Sequence, residues 1–164
     1  MRSDRAHAPS LARNTDGTAA LELTVLLPFL FALSFGVFEF GHLIYQYHLM
    51  TSGVRDAARY LSGNPYRDES GGGPSAAAEA AARNIAMRGT ADASGDYRIS
   101  WWNDANTINI ATDTGNDTGY RGGAVTIIKV RTSVPYQSLG FLEFLGIEPI
   151  TLTASHEERM YQSR

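Results

Sequence analysis

The chain has 164 residues, a formal net charge of −3, 43% hydrophobic and 19% charged residues, enough for one modest domain with an appendage but not for two independent cores. A pI near 5.8 and a single lysine, Lys129, leave no basic stripe of the kind that binds nucleic acid. The absence of cysteine excludes a disulfide framework, zinc–thiolate sites, iron–sulfur clusters and cysteine nucleophiles.

Residues 1–17 read as a short polar leader, with Arg2, Arg5 and Arg13 set against Asp4 and Asp16. Residues 18–38 follow as an apolar run in which Glu22 is the one charged side chain. Roughly 21 residues at about 1.5 Å each give about 31 Å, the thickness of a hydrocarbon layer. Arginines precede this run and none follows until Arg55, which favours a cytoplasmic amino terminus.

Three readings fit this segment. A secretory signal peptide needs a shorter apolar stretch ending in small residues, whereas this one passes directly into "FEFGHLIYQYHLM". A plain anchor accounts for the length but not for Glu22, because a carboxylate in hydrocarbon is costly without a partner. In the third reading a peptidase cuts between Gly17 and Thr18, making Glu22 the fifth residue of the mature chain. Its carboxylate then meets the new ammonium of Thr18, in the same or a neighbouring subunit, and fixes axial register. A snorkelling Glu22 is the simpler alternative. Pro28 withdraws an amide from the carbonyl of Thr24, which neighbours or a threonine hydroxyl must satisfy.

Residues 39–63 continue as an amphipathic helix through Phe40, Leu43, Ile44, Tyr47, Met50, Val54, Ala57, Ala58 and Leu61, ending at "SGNP". Tyr45 and Tyr47 suit an interfacial aromatic belt. Glu39 and His42 have the Glu-x-x-His spacing of di-iron bundles, but "ASHEERM" has the wrong order for a second pair. An interfacial polar cluster is therefore expected there, and His48 is expected at the surface.

The stretch "GTAALE", then "LTVLLP", "GVFEFGH" and "SGVRDAARYLSG", resembles the TadE-like family, minor pseudopilins of the tight-adherence (Tad/Flp) pilus. Family members typically read Ala-Val-Glu before the apolar stretch, Glu-Phe-Gly-Arg after it, then an A-x-R-x-A-A-R-like pattern, here supplied by Arg55, Ala57, Ala58 and Arg59. The similarity covers about Gly17 to Gly63, with Leu21 in place of Val and His42 in place of Arg. It implies cleavage by a prepilin peptidase, insertion in the bacterial inner membrane and a periplasmic head. It further implies partners among other Tad pseudopilins, the pilin and the inner-membrane assembly platform. The residues alone support only a cleavable or anchored membrane helix.

Residues 64–164 are expected to form the extracytoplasmic head. "NPYRDESGGGPS" is a linker by composition, and "SAAAEAAARNIAMRG" a helix capped by Ser75 or Gly73 and stopped by Gly89. "GGGPSAAAEA" lacks the Lys-Ser/Thr of a phosphate loop. "YRISWW" and "TINIA" alternate as strands, with Trp101 and Trp102 on opposite faces. "AVTIIKVRTSV" is a strand with Ile128, Val130 and Val134 on one face and Lys129, Arg131 and Ser133 on the other. "ITLTASHEERM" pairs antiparallel with it, Ile150, Leu152 and Ala154 inward. Asp113 and Asp117 lie in a turn-rich hairpin loop that lacks a calcium loop's closing glutamate, since Ala124 stands there. "YQSLGFLEFLGIEP" surrounds Glu143 with more apolar residues than one buried face needs, so part of it is expected to touch the membrane surface or another pseudopilin.

The expected architecture is α+β and pilin-like: a long amino-terminal helix, a small antiparallel sheet of three or four strands and one or two packed helices. No nucleophile, base and oxyanion donor fall into a known pattern among His7, His42, His48, His156 and their neighbours. Accordingly no catalytic, cofactor or metal residue is assigned, and the assembly residues are Gly17, Thr18 and Glu22. The competing function is an uncleaved single-pass sensor whose head binds a small ligand.

Overall fold

A computed structural model describes residues 15–63, 73–117 and 123–160. The chain is α+β, with helix α1 (Thr15–Gly63), α2 (Ala76–Arg88), a 3-10 turn (Ala105–Thr107), strands β1 (Ile108–Asp117) and β2 (Gly123–Pro135), helix α3 (Phe141–Phe144) and strand β3 (Thr151–Arg159). It divides into two units between Phe38 and Glu39.

The first unit is the amino-terminal half of α1, whose side chains from Gly17 to Phe38 are almost all exposed. An 18-residue window of mean hydropathy 2.1, none of it buried, makes this helix long and apolar enough to cross a membrane. That single helix fits a single-pass membrane protein. Pro28 lies inside the helix without ending it. The Thr24 hydroxyl donates to the Ala20 carbonyl at 2.8 Å, so it serves the preceding turn and not the carbonyl that Pro28 frees.

The second unit is the head. Its sheet is a three-strand meander in the order β1-β2-β3. β1 and β2 pair antiparallel from Ile108 opposite Thr132 to Asp117 opposite Gly123. β2 and β3 pair antiparallel from Ile127 opposite Arg159 to Pro135 opposite Thr151. Because side chains alternate along a strand, Ile128, Val130, Val134, Leu152 and Ala154 fall on the buried face. Arg131 and Ser133 are exposed on the other face, where Lys129 reaches Asp113 at 3.4 Å and Glu157 at 3.6 Å.

Helix α2 starts and stops where capping chemistry dictates. Ser75 Oγ accepts the Ala78 N–H at 3.2 Å, and Gly89, at φ 82°, turns the chain left-handed while its N–H reaches the Ile85 carbonyl. The alanine face of α2 packs on α1: Ala78, Ala82 and Ala86 share one core with Met50, Val54, Ala57, Ala58 and Leu61. The helices approach closely at Gly53, where an added Cβ would overlap the Ala86 carbonyl oxygen.

Expectations for two segments of the head are corrected first. "YRISWW" is not a strand but a turn-rich segment strapped to the helices. The Arg98 N–H donates to the Met87 carbonyl at 2.7 Å, Arg98 pairs with Asp56 at 2.7 Å, and Arg88 lies 3.8 Å over the Tyr97 ring. Ile99 and Trp102, three apart, are both buried, as a turn allows and strand alternation does not. The expected buried stripe of α1 holds from Met50 to Leu61 but is misplaced in the turns before it. Phe40, Ile44 and Tyr47 are exposed, whereas Glu39 and Gln46 are buried in line with Met50, Val54, Ala57 and Leu61. One residue along a helix is about 100° of rotation, so a stripe that opens on two polar residues shifts the apparent apolar face. The "NPYRDES" stretch, residues 118–122 and the leader through Asn14 lie outside the described residues.

Candidate functional site

Gly17, Thr18 and Glu22 all lie within α1, Thr18 and Glu22 one turn apart on the same face. Nothing stands within 4 Å of a Cβ built on Gly17. A glycine inside a helix costs about 1 kcal/mol relative to alanine, so neither packing nor backbone conformation explains this one. Glu22 is exposed, and no ion pair engages it among the described residues.

The head contains a second polar constellation, built on the Glu-Phe-Gly-His stretch. Glu39 is 2% exposed. One carboxylate oxygen accepts the Tyr136 hydroxyl at 2.8 Å, and the Leu139 N–H points at both oxygens, 3.0 and 3.2 Å away. His42 Nδ1 lies 3.0 Å from the Tyr136 oxygen, and His42 Nε2 lies 3.0 Å from Gln46 Nε2. Trp101 Nε1–H donates to Gln46 Oε1 at 3.2 Å.

These contacts admit one consistent polarity. The indole can only donate, so Gln46 turns its oxygen to Trp101 and its NH2 to His42. His42 Nε2 must then accept, which assigns the imidazole proton to Nδ1. That proton goes to the Tyr136 oxygen, leaving the tyrosine proton for Glu39. A chain of donors thus runs from Trp101 through Gln46, His42 and Tyr136 to a buried carboxylate. Burial, and then the hydrogen bond and charge of Glu39, hold the Tyr136 phenol well above its ordinary pKa and so protonated.

The polar cluster expected at Glu39 and His42 is therefore present, with partners that the sequence pattern did not disclose. Gln46 was legible in principle, since residues 39, 42 and 46 fall on one helix face. Tyr136 and Leu139, almost 100 positions away in sequence, carried no such signal.

Other candidates are less developed. Among the described residues no three His, Asp or Glu side chains gather into a metal-binding group. Asp113 and Asp117 are not in a loop, as their turn-rich surroundings suggested, but in β1, paired opposite Ile127 and Gly123 of β2; Asp113 is engaged by Lys129, and the Asp117 side chain lies outside the described residues. A hollow of about 480 Å³ between α2 and β1 is lined by Arg83, Asn84, Asn106 and Asn109 among others. Its one charged lining residue is already occupied, because Arg83 donates to Glu79 at 3.1 Å and to the Ile108 carbonyl at 3.4 Å.

Residues 17–59 match the family model of TadE-like protein. That span begins at Gly17 and takes in Thr18, Glu22, Glu39, His42 and Gln46. No curated protein and no solved structure matches the chain.

Proposed function

We propose that the chain, whose residues 17–59 match the TadE-like model, is a minor pseudopilin of the Tad pilus system. It acts by packing and register and performs no catalysis. A prepilin peptidase removes residues 1–17 on the cytoplasmic side of the bacterial inner membrane, residues 18–38 span the bilayer, and the head stands in the periplasm. Its partners are other Tad pseudopilins, the pilin and the inner-membrane assembly platform.

The observation that carries this reading is the family match starting on a glycine that the fold does not require. A peptidase that must close on the chain backbone at that point does require it. Cleavage turns the Thr18 nitrogen into an ammonium one turn from an exposed carboxylate. In a bundle of such helices the pair couples neighbours, since removing one member of a buried pair costs about 3–5 kcal/mol.

Glu22→Gln tests the pairing. The variant is expected to accumulate and be trimmed normally, yet restore piliation of a strain lacking the gene about a hundredfold less well, the ratio that about 3 kcal/mol implies. Filament counts by electron microscopy, with immunoblots for processing, read the result. Full restoration by Glu22→Gln would remove the pairing from the mechanism.

A further inference from the structure

We propose that the tip formed by residues 139–147 rests on the lipid surface from which α1 emerges. The tip presents Leu139 at 62% exposure, Phe144 at 84%, Leu145 at 53% and Ile147 at 45%. It is held in shape and not loosely draped. Gly140 and Gly146, at φ 106° and 70°, turn the chain on either side of α3. The N–H groups of Leu145, Gly146 and Ile147 reach the carbonyls of Phe141, Glu143 and Leu142 at 2.9–3.1 Å. Leu142 is buried beneath, and Ser138 donates to Glu143 at 3.2 Å.

The placement comes from Glu39. This residue follows Phe38 directly and is the first charged side chain after the uncharged run that begins at Leu23. Its carboxylate is bonded to the Leu139 N–H, so the tip is tied to the chain at the point where the sequence leaves its apolar stretch. An apolar tip fastened there meets headgroups and acyl chains more readily than any soluble partner. The charge pattern agrees with burial and not with electrostatic attraction: between Tyr136 and Ile150 there is no lysine or arginine, and Glu143 and Glu148 are exposed. Contact should therefore need no anionic lipid. The inference requires only that residues 18–38 span a bilayer, and it stands apart from the pilus assignment.

Because the chain has no native cysteine, single labels are clean. Full-length Phe144→Cys, Ser133→Cys and Phe29→Cys, each carrying an environment-sensitive fluorophore, are placed singly in nanodiscs of zwitterionic lipid. Shallow nitroxide lipids are expected to quench the Phe144 label several-fold more than the Ser133 label, and deep nitroxide lipids to quench the Phe29 label. Quenching at position 144 should persist as salt rises from about 0.1 to 1 M, where the Debye length shrinks to about 3 Å. Equal, weak quenching at positions 144 and 133 would overturn the proposal, as would protection of position 144 that appears only with a second copy or another pilus protein in the disc. An unquenched Phe29 label would remove the span on which the proposal depends.

Discussion

Gly53→Ala is expected to destabilise the head by about 2–3 kcal/mol, within the usual range for overpacking. The added methyl would overlap the Ala86 carbonyl oxygen and lie 3.1 and 3.3 Å from the Ala86 C and Cα. These are backbone atoms of α2, which cannot rotate aside as a side chain would. Ala86 and Ala82 are fully buried, so relief requires moving the whole helix. Better helix propensity returns at most about 1 kcal/mol. For a domain near 100 residues each kcal/mol shifts the midpoint by about 4–8 °C, so thermal melting by circular dichroism should fall by about 10–20 °C. Gly41→Ala is the matched control: nothing stands within 4 Å of its Cβ, and its melting should be unchanged or slightly raised. Equal melting of the two variants would show that α1 and α2 do not touch at this point.

Glu39→Leu should be at least as damaging. It keeps the volume roughly constant but takes the carboxylate from two donors inside the head, leaving the Leu139 N–H without it and the Tyr136 hydroxyl with only the residue 39 carbonyl, 3.4 Å away. A buried donor left without an acceptor costs about 1–3 kcal/mol, which places the total near 3 kcal/mol or more. Tyr136→Phe alone should cost less, and the double variant should cost less than the two single losses added, because the residues act on one hydrogen bond. Additive losses would mean that Glu39 and Tyr136 are not coupled. The same pair sets an alkaline limit. The folded state holds the Tyr136 phenol above the ordinary value of 10.0, so its contribution is fully present below pH 10. It is lost as pH climbs beyond that, because the unfolded chain releases the proton first. Tyr136→Phe should lack this component of alkaline destabilisation, which denaturant titrations across the range would reveal.

Where local chemistry decides the structure, the sequence was readable. Helix α2 is bounded by Ser75 and Gly89 because their capping roles depend on neighbours within a turn. β2 and β3 follow from alternation, which requires only one buried and one wet face. The failures share a different cause. "YRISWW" alternates like a strand, yet its backbone and arginine are claimed by α1 and α2, partners that lie at a distance in sequence. Likewise Glu39 and Gln46 belong to the buried stripe only because Tyr136, Leu139, His42 and Trp101 satisfy them. The sequence pointed to a polar cluster at Glu39 and His42 but not to its burial or to Gln46 as a member. Of the candidate site, Gly17, Thr18 and Glu22 were legible as a pattern. What the structure adds is that Gly17 stands in open space, a feature that no sequence reading supplies.

The pilus account rests on a new amino terminus being made beside Glu22, and amino-terminal sequencing of the protein extracted from bacterial membranes reads this directly. The account predicts Thr18 as the first residue, and full-length chain starting at Met1 when Gly17→Ala is expressed or the prepilin peptidase is deleted. Met1 at the start of the wild-type protein, in cells that are making pili, would contradict it.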